Sequence, residues 1–160
     1  MSIAGFDEEQ SGEEIWWNDW FEHYRAFAIH FADQAKQSGA QGLIIGGDWV
    51  LPALPDGKLA DGGPSGVPTD AESRWKNIIG EVRQHFQGSV LFALPYNSTD
   101  FVPPVNILKD ADAVYLLWFA KLSTVASPNK ADMANEAGKL LDQNISPWQV
   151  QVNKPFVIAL

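Results

Sequence analysis

Four short apolar segments alternate with segments of helical periodicity along this chain of 160 residues. The apolar segments cover residues 42–47, 89–94, 112–118 and 154–160. A short apolar run bounded by turn residues is typical of a strand, and strands that alternate with helices pair in parallel. The sequence therefore predicts an α/β protein, with a parallel sheet and flanking helices.

The segments between these strands carry helical stripes. The longest covers residues 17–36, where apolar residues recur three and four positions apart, and Gly39 is expected to end it. A second helix is predicted before the strand at 89–94, with Trp75 in the core. Ser127-Pro128 has the pattern of a cap and a first helical turn, so a third long helix is predicted to start there. Its inward residues are expected to be Met133, Ala134, Ala137, Leu140 and Leu141.

The number of strands suggests an incomplete barrel. A (β/α)8 barrel needs eight parallel strands, and this chain has four. Residues 16–160 are therefore predicted to form about half of a TIM barrel, after a separate acidic segment at residues 1–15. Four βα units leave two open sheet edges, so a homodimer through these edges is expected.

Composition and charge exclude several classes of partner. The net charge is -9, with 20 acidic and 11 basic residues, which argues against nucleic acid and against an anionic membrane surface. No apolar run approaches the length of a membrane helix, and the N-terminus lacks the pattern of a signal peptide. The chain has no cysteine and no spaced histidine pair, and it lacks a phosphate loop, so neither a metal nor a cofactor is expected.

Aromatic residues are frequent, and they allow two interpretations. The chain has seven Trp, nine Phe and three Tyr. These rings can fill a Trp-rich core. Alternatively, an aromatic face can stack on the apolar face of a sugar ring, while carboxylates and amides bind its hydroxyls. The second interpretation predicts a carbohydrate ligand, which is compatible with an extracellular parent protein but leaves the location open.

The first strand ends abruptly in Gly-Gly followed by Asp48 and Trp49. The strand is predicted to be buried on both faces, and sites in α/β proteins form just past the carboxyl ends of such strands. Asp48 is thus a candidate catalytic residue and Trp49 a candidate substrate contact, although capping and packing roles remain alternatives. Further candidate substrate contacts at the ends of the next two strands are Tyr96, Asn97 and Trp118.

Several segments together resemble a known family. They are the run from Gly42 to Asp48, the helix segment 72–83 and the segment 86–92, followed by Asp-Ala-Val at 112–114 and Lys-Pro-Phe-Val at 154–157. Their order is similar to that in clan A TIM-barrel glycoside hydrolases, and most similar to that in the β-mannanase-like family 113. The resemblance covers residues 17–160 and implies that the four strands are numbers four to seven of the barrel.

The resemblance implies a role for two positions. Asp48 stands where the family has its general acid/base glutamate, and Leu160 stands where it has its nucleophilic glutamate. Retaining hydrolysis needs two carboxylates, and leucine cannot attack an anomeric carbon. One hypothesis is therefore a fragment or diverged member that acts on β-linked polysaccharide, with Asp48 as proton donor. The other is a non-catalytic carbohydrate-binding or scaffold module, completed by self-assembly.

Overall fold

The computed structural model describes residues 14–97, 102–123, 125 and 127–159. Four strands form one parallel sheet in the order β1-β2-β3-β4. This topology confirms the predicted α/β class. The strands are β1 (Gly42–Gly46), β2 (Ser89–Tyr96), β3 (Ala113–Trp118) and β4 (Phe156–Ala159).

Helices connect the strands and flank the sheet. Within the described residues, the first helix begins at Glu14, and Gly39 follows its end with a φ of 69°. A 3₁₀ helix, Asp48–Ala53, directly follows β1. The α-helices are α1 (Glu14–Ser38), α2 (Ala71–His85), α3 (Val105–Leu108), α4 (Lys130–Leu140) and α5 (Ser146–Val152), with a π-helical turn at Leu141–Ile145 between the last two.

The main core lies between the sheet and helices α1 and α2. Trp75 of α2 is completely buried, as predicted, and its ring contacts Trp20, Tyr24 and Phe92. The helical stripes predicted for α1 and α2 supply most of this core. Phe31 is an exception, because 45% of it remains exposed. Most of the Trp residues of α1 and α2 are therefore core residues.

The prediction for the third long helix is wrong in two respects. Helix α4 begins at Lys130, and its cap is Asn129 rather than Ser127, since Asn129 Oδ1 accepts a hydrogen bond of 2.8 Å from the Asp132 N–H. The helix also buries no residue. It packs mainly on the π-helical turn, and Leu140 at its end packs against the buried cluster of Tyr96, Leu116 and Ile145. The predicted inward residues are half-buried or exposed: Met133, Ala134, Ala137, Leu140 and Leu141.

The prediction that β1 is buried on both faces is also wrong. Ile45 packs into the core below the helices and is 6% exposed. Ile44 points to the opposite face, and 49% of it is exposed. Alternate residues of a strand point to opposite faces, and the described helices pack only on the Ile45 side. One face of the sheet is therefore uncovered along β1.

A charged cluster joins the amino ends of the strands. Asp112 accepts a hydrogen bond of 2.8 Å from the Val90 N–H and forms an ion pair of 2.9 Å with Arg83. Partial burial acts to raise the pKa of Asp112, but the hydrogen bonds and charge of Arg83 and Val90 outweigh it and lower the pKa. This ion pair lies at the amino ends of the strands, whereas the candidate site lies at their carboxyl ends. It therefore contributes to the stability of the sheet and not to the candidate site.

Candidate functional site

The carboxyl ends of the strands bring most of the candidate residues to one edge of the sheet. Tyr96 and Trp118 are the last residues of β2 and β3, and they pair in register. Asn97 directly follows Tyr96, and Asp48 follows β1 by two residues. Because the strands are parallel, their carboxyl ends meet at this edge. The candidates thus share one rim, whereas Leu160 lies outside the described residues.

Two glycines turn the chain out of the sheet immediately before Asp48. Gly46 and Gly47 have φ values of 87° and 125°, which favour glycine. A Cβ atom on Gly46 would lie 2.7 Å from the backbone oxygen of Ala93. The Gly46 N–H also donates a hydrogen bond of 2.8 Å to Tyr24 Oη. These contacts fix the direction in which the 3₁₀ helix leaves the strand.

Asp48 presents an exposed carboxylate at the start of the 3₁₀ helix. Its Oδ1 accepts a hydrogen bond of 2.9 Å from the N–H of Trp49. An exposed carboxylate in this position can bind hydroxyl groups or transfer a proton to a ligand that covers it. The local contact orients the side chain without burying it.

Trp49 lies beside Asp48 and is 40% exposed. Its ring centroid is 5.3 Å from that of Tyr24 and 6.3 Å from those of Trp20 and Phe27. These rings lie behind Trp49, and such aromatic pairs contribute about 0.5–1.5 kcal/mol each beyond the burial of area. The indole is therefore held in place while a large part of it remains accessible.

Tyr96 and Trp118 point toward the helical layer. Tyr96 is completely buried, and its ring centroid lies 5.1 Å from Trp118 and 5.5 Å from Trp148. Burial raises the pKa of Tyr96, and the nearby Asn144 side chain opposes this shift. Trp118 is half-buried, and its Nε1 donates a hydrogen bond of 3.0 Å to the Ala120 oxygen. Asn97, in contrast, is exposed. The Tyr96 ring thus offers no accessible face in this structure.

A separate cleft of about 870 Å³ opens between the loop after β3 and helix α4. Its polar groups include Lys121, Asp132, Glu136, Lys139 and Asp142. The cleft contains none of the five candidate residues, although it borders the carboxyl end of β3. It therefore adds polar surface to the rim beside β3.

Some residues that support the site were predicted only as core residues. Tyr24 holds the end of β1 through its hydroxyl, and burial raises its pKa. Trp75 donates a hydrogen bond of 2.8 Å from Nε1 to the Ala53 oxygen, which anchors the end of the 3₁₀ helix. Both lie on predicted helical stripes, but periodicity indicates only which face is buried. The polar contacts of these rings depend on tertiary structure.

Two further observations concern ligands and membranes. Within the described ranges, no group of three or more histidine or acidic side chains is placed to hold a metal ion. No helix in the described part of the chain combines the length and the hydropathy that a membrane span requires.

Comparisons of sequence and of structure give different results. No protein-family model matches the chain, and no curated protein matches it in sequence. Solved structures do match. One is the GH113 β-mannanase AaManA from Alicyclobacillus acidocaldarius in complex with ManMIm, with a TM-score of 0.56 and 16% sequence identity. The match covers 89% of this chain and 35% of that chain.

Two further structures give the same picture. A GH113 β-1,4-mannanase matches with a TM-score of 0.56 and 21% identity, and the complex structure of a GH113 β-1,4-mannanase matches with a TM-score of 0.50 and 20% identity. Each match covers 88% of this chain and 35% of the other. The chain thus spans about a third of the length of these enzymes. The resemblance inferred from the sequence is confirmed at the level of the fold: this chain has a GH113-like fold, and its parallel sheet and helices match about a third of a GH113 mannanase chain.

Proposed function

We propose that this barrel segment binds a β-linked polysaccharide at the carboxyl ends of its strands, with Asp48 and Trp49 as the central contacts. One observation carries the proposal. An exposed carboxylate and an accessible, well-supported indole stand side by side where β1 ends. Sugars need both features, because their rings have an apolar face and their hydroxyls need hydrogen-bonding partners.

Other rim residues can extend such a site. The exposed Asn97 amide follows β2, which is the neighbour of β1 and lies roughly 5 Å from it. In this proposal Trp118 borders the next subsite, and the buried Tyr96 ring supports it from behind. The solved neighbours are mannanases, so β-1,4-mannan is the first ligand to test.

The proposal includes a catalytic form, in which Asp48 donates a proton to the leaving sugar oxygen. Retaining hydrolysis requires a second carboxylate about 5 Å away. Among the described residues, Asp48 is the only carboxylate within three positions of the carboxyl end of a strand. The family resemblance places the second carboxylate at Leu160, and a leucine cannot supply it. This difference favours the alternative proposal, a carbohydrate-binding module without turnover.

Replacement of Trp49 by Ala is expected to weaken binding of manno-oligosaccharides about ten-fold, because the stacking face is lost. Isothermal titration calorimetry of the wild type and the variant measures this change. Phe31→Ala is the matched control, since Phe31 is an aromatic residue of similar exposure on α1. Equal weakening by the two substitutions, or no binding by the wild type, would remove Trp49 from the site.

Replacement of Asp48 by Asn separates catalysis from binding. If Asp48 is the proton donor, reducing-sugar release from mannan should fall by roughly 10²–10⁴-fold, while oligosaccharide binding persists. Asp110→Asn changes an exposed carboxylate at the opposite end of the sheet and should leave both properties unchanged. Binding without turnover by the wild type would support the non-catalytic module, and equal turnover by wild type and Asp48→Asn would rule out the catalytic role.

A further inference from the structure

The cleft between the loop after β3 and helix α4 is a second place where a ligand can bind. Its volume of about 870 Å³ falls within the range of about 300–1,000 Å³ that is usual for small-molecule sites. One wall consists of residues 121–123 and 125, and the other of α4 and the π-helical turn. Both walls therefore belong to one continuous stretch in the interior of the sequence.

The two walls of the cleft are anchored where they begin. The Phe119 N–H donates a hydrogen bond of 2.8 Å to the Tyr96 oxygen, and Trp118 Nε1 donates one of 3.0 Å to the Ala120 oxygen. These contacts tie the start of the loop to the ends of β2 and β3. The opposite wall is fixed by the Asn129 cap of α4. The cleft is thus formed before a ligand arrives, as is usual for binding sites.

Helix α4 turns a polar face to the cleft. Polar residues that line the cleft recur three and four positions apart, as at Asp132, Asn135, Lys139 and Asp142. Residues at these spacings lie on the same side of a helix. Leu140 lies on the other side, where it packs against buried residues of the sheet. The face of α4 toward the cleft is therefore hydrophilic.

Several polar groups of the cleft are available for a ligand. Four of its polar side chains form no hydrogen bond or ion pair with another described residue: Lys121, Asn135, Asp142 and Gln143. Lys139, in contrast, pairs with Glu136 at 3.2 Å. The available groups are an ammonium, a carboxylate and two amides, and each amide both donates and accepts hydrogen bonds. A matching ligand therefore offers donors and acceptors together.

The charges of the cleft nearly cancel, which argues against a strongly charged ligand. An anion would meet the carboxylates of Asp132, Glu136 and Asp142. A cation would meet the ammonium groups of Lys121 and Lys139. Hydroxyl groups suit this lining better, because each hydroxyl both donates and accepts without carrying a charge. The lining thus matches an uncharged ligand that is rich in hydroxyl groups.

We propose that this cleft is a second carbohydrate-binding site, which takes uncharged residues of the same β-linked polysaccharide that binds at the rim. The amides of Asn135 and Gln143 bind sugar hydroxyls, and Asp142 accepts hydrogen bonds from them. Leu122 and Val125 offer an apolar surface to the C–H groups of the sugar. The choice of ligand rests on the proposed function, because the polysaccharide of the rim supplies it.

Titration of the 160-residue chain with mannohexaose, followed through the amide signals in NMR, locates the bound sugar. Signals of residues 135–143 should shift, together with those of residues 48 and 49. Shifts confined to residues 48 and 49 would overturn the second site and leave the rim in place. Shifts confined to residues 135–143 would support the second site and contradict the rim. Shifts at neither place would overturn both.

Gly138→Leu blocks the cleft selectively, because Gly138 lines it and a Cβ atom there would have nothing within 4 Å. Leucine is also more favourable than glycine in a helix, so the fold should persist. Binding at residues 135–143, read from the same amide signals, should weaken about ten-fold. Gly80→Leu is the matched control, since Gly80 in α2 has equally open surroundings. Equal binding by the two variants would overturn the second site.

An oligogalacturonate of the same length tests the charge of the ligand. Its carboxylates would face those of the cleft, so its binding at residues 135–143 should be about ten-fold weaker than that of mannohexaose. Tighter binding of the acidic oligosaccharide would contradict the assignment of an uncharged ligand.

Discussion

Replacement of Trp75 by Ala is expected to lower the free energy of unfolding by about 3–5 kcal/mol, as for other completely buried tryptophans. Trp75 is completely buried where helices α1 and α2 meet the sheet. Its ring contacts Trp20, Tyr24 and Phe92, and its Nε1 donates to the Ala53 oxygen. The substitution would remove these contacts and leave a large cavity.

Urea unfolding followed by circular dichroism measures this loss. Small domains have a total stability of about 5–15 kcal/mol, so a large part of the Trp75→Ala protein could be unfolded at 37 °C. Trp75→Phe keeps an apolar ring but loses the hydrogen bond, and it should cost less than the Ala variant. A loss below about 1 kcal/mol for Trp75→Ala would mean that the core does not depend on this ring.

The second large effect is expected at Gly46, where an added methyl group meets backbone. Gly46 has a φ of 87°, and its Cβ would lie 2.7 Å from the Ala93 oxygen. Gly46→Ala should lower the free energy of unfolding by about 2–4 kcal/mol, because left-handed strain and the close contact add together. Backbone atoms cannot move aside as the end of a flexible side chain can.

The control for Gly46 is another glycine. A Cβ on Gly80 in helix α2 would have nothing within 4 Å, so Gly80→Ala should be neutral or should stabilise the protein by about 0.5–1 kcal/mol. Denaturant unfolding of both variants compares the two effects. Gly46→Ala should also weaken sugar binding in the folded fraction, since it displaces Asp48. Similar stabilities for the two variants would show that the turn at the end of β1 is not constrained.

The sequence predicts well those parts of the fold that depend on local periodicity. The stripe of α2 places Trp75 in the core because every third or fourth residue of a helix faces the same side. The exposure of Ile44 could not be predicted in this way. It depends on how many layers cover β1, and an apolar strand has the same composition with one covered face or two. The cap at Asn129 was missed because Ser127-Pro128 offers an equally good local pattern.

In the candidate site, too, the local sequence predicts some features, while others depend on tertiary structure. Gly-Gly-Asp-Trp indicated correctly that the chain leaves the sheet at the end of β1, since the two glycines allow positive φ values. The burial of Tyr96 depends on strand parity, because one residue more or less in β2 would turn its ring to the other face. The roles of Asp48, Trp49, Asn97 and Trp118 in ligand binding stay predictions until the variants are measured.

The aromatic contacts of Trp49 link the rim to the centre of the protein. Trp49 touches Tyr24, and Tyr24 touches Trp75, so a ligand on the indole would press against rings that belong to the core. Local opening of this region would require the core itself to separate. The amide protons of Gly46 and Gly47, which are bonded to Tyr24 Oη and the Ala93 oxygen, should therefore exchange with solvent only through unfolding of the whole domain. A binding surface built in this way is rigid before the ligand arrives, so little ordering entropy opposes binding.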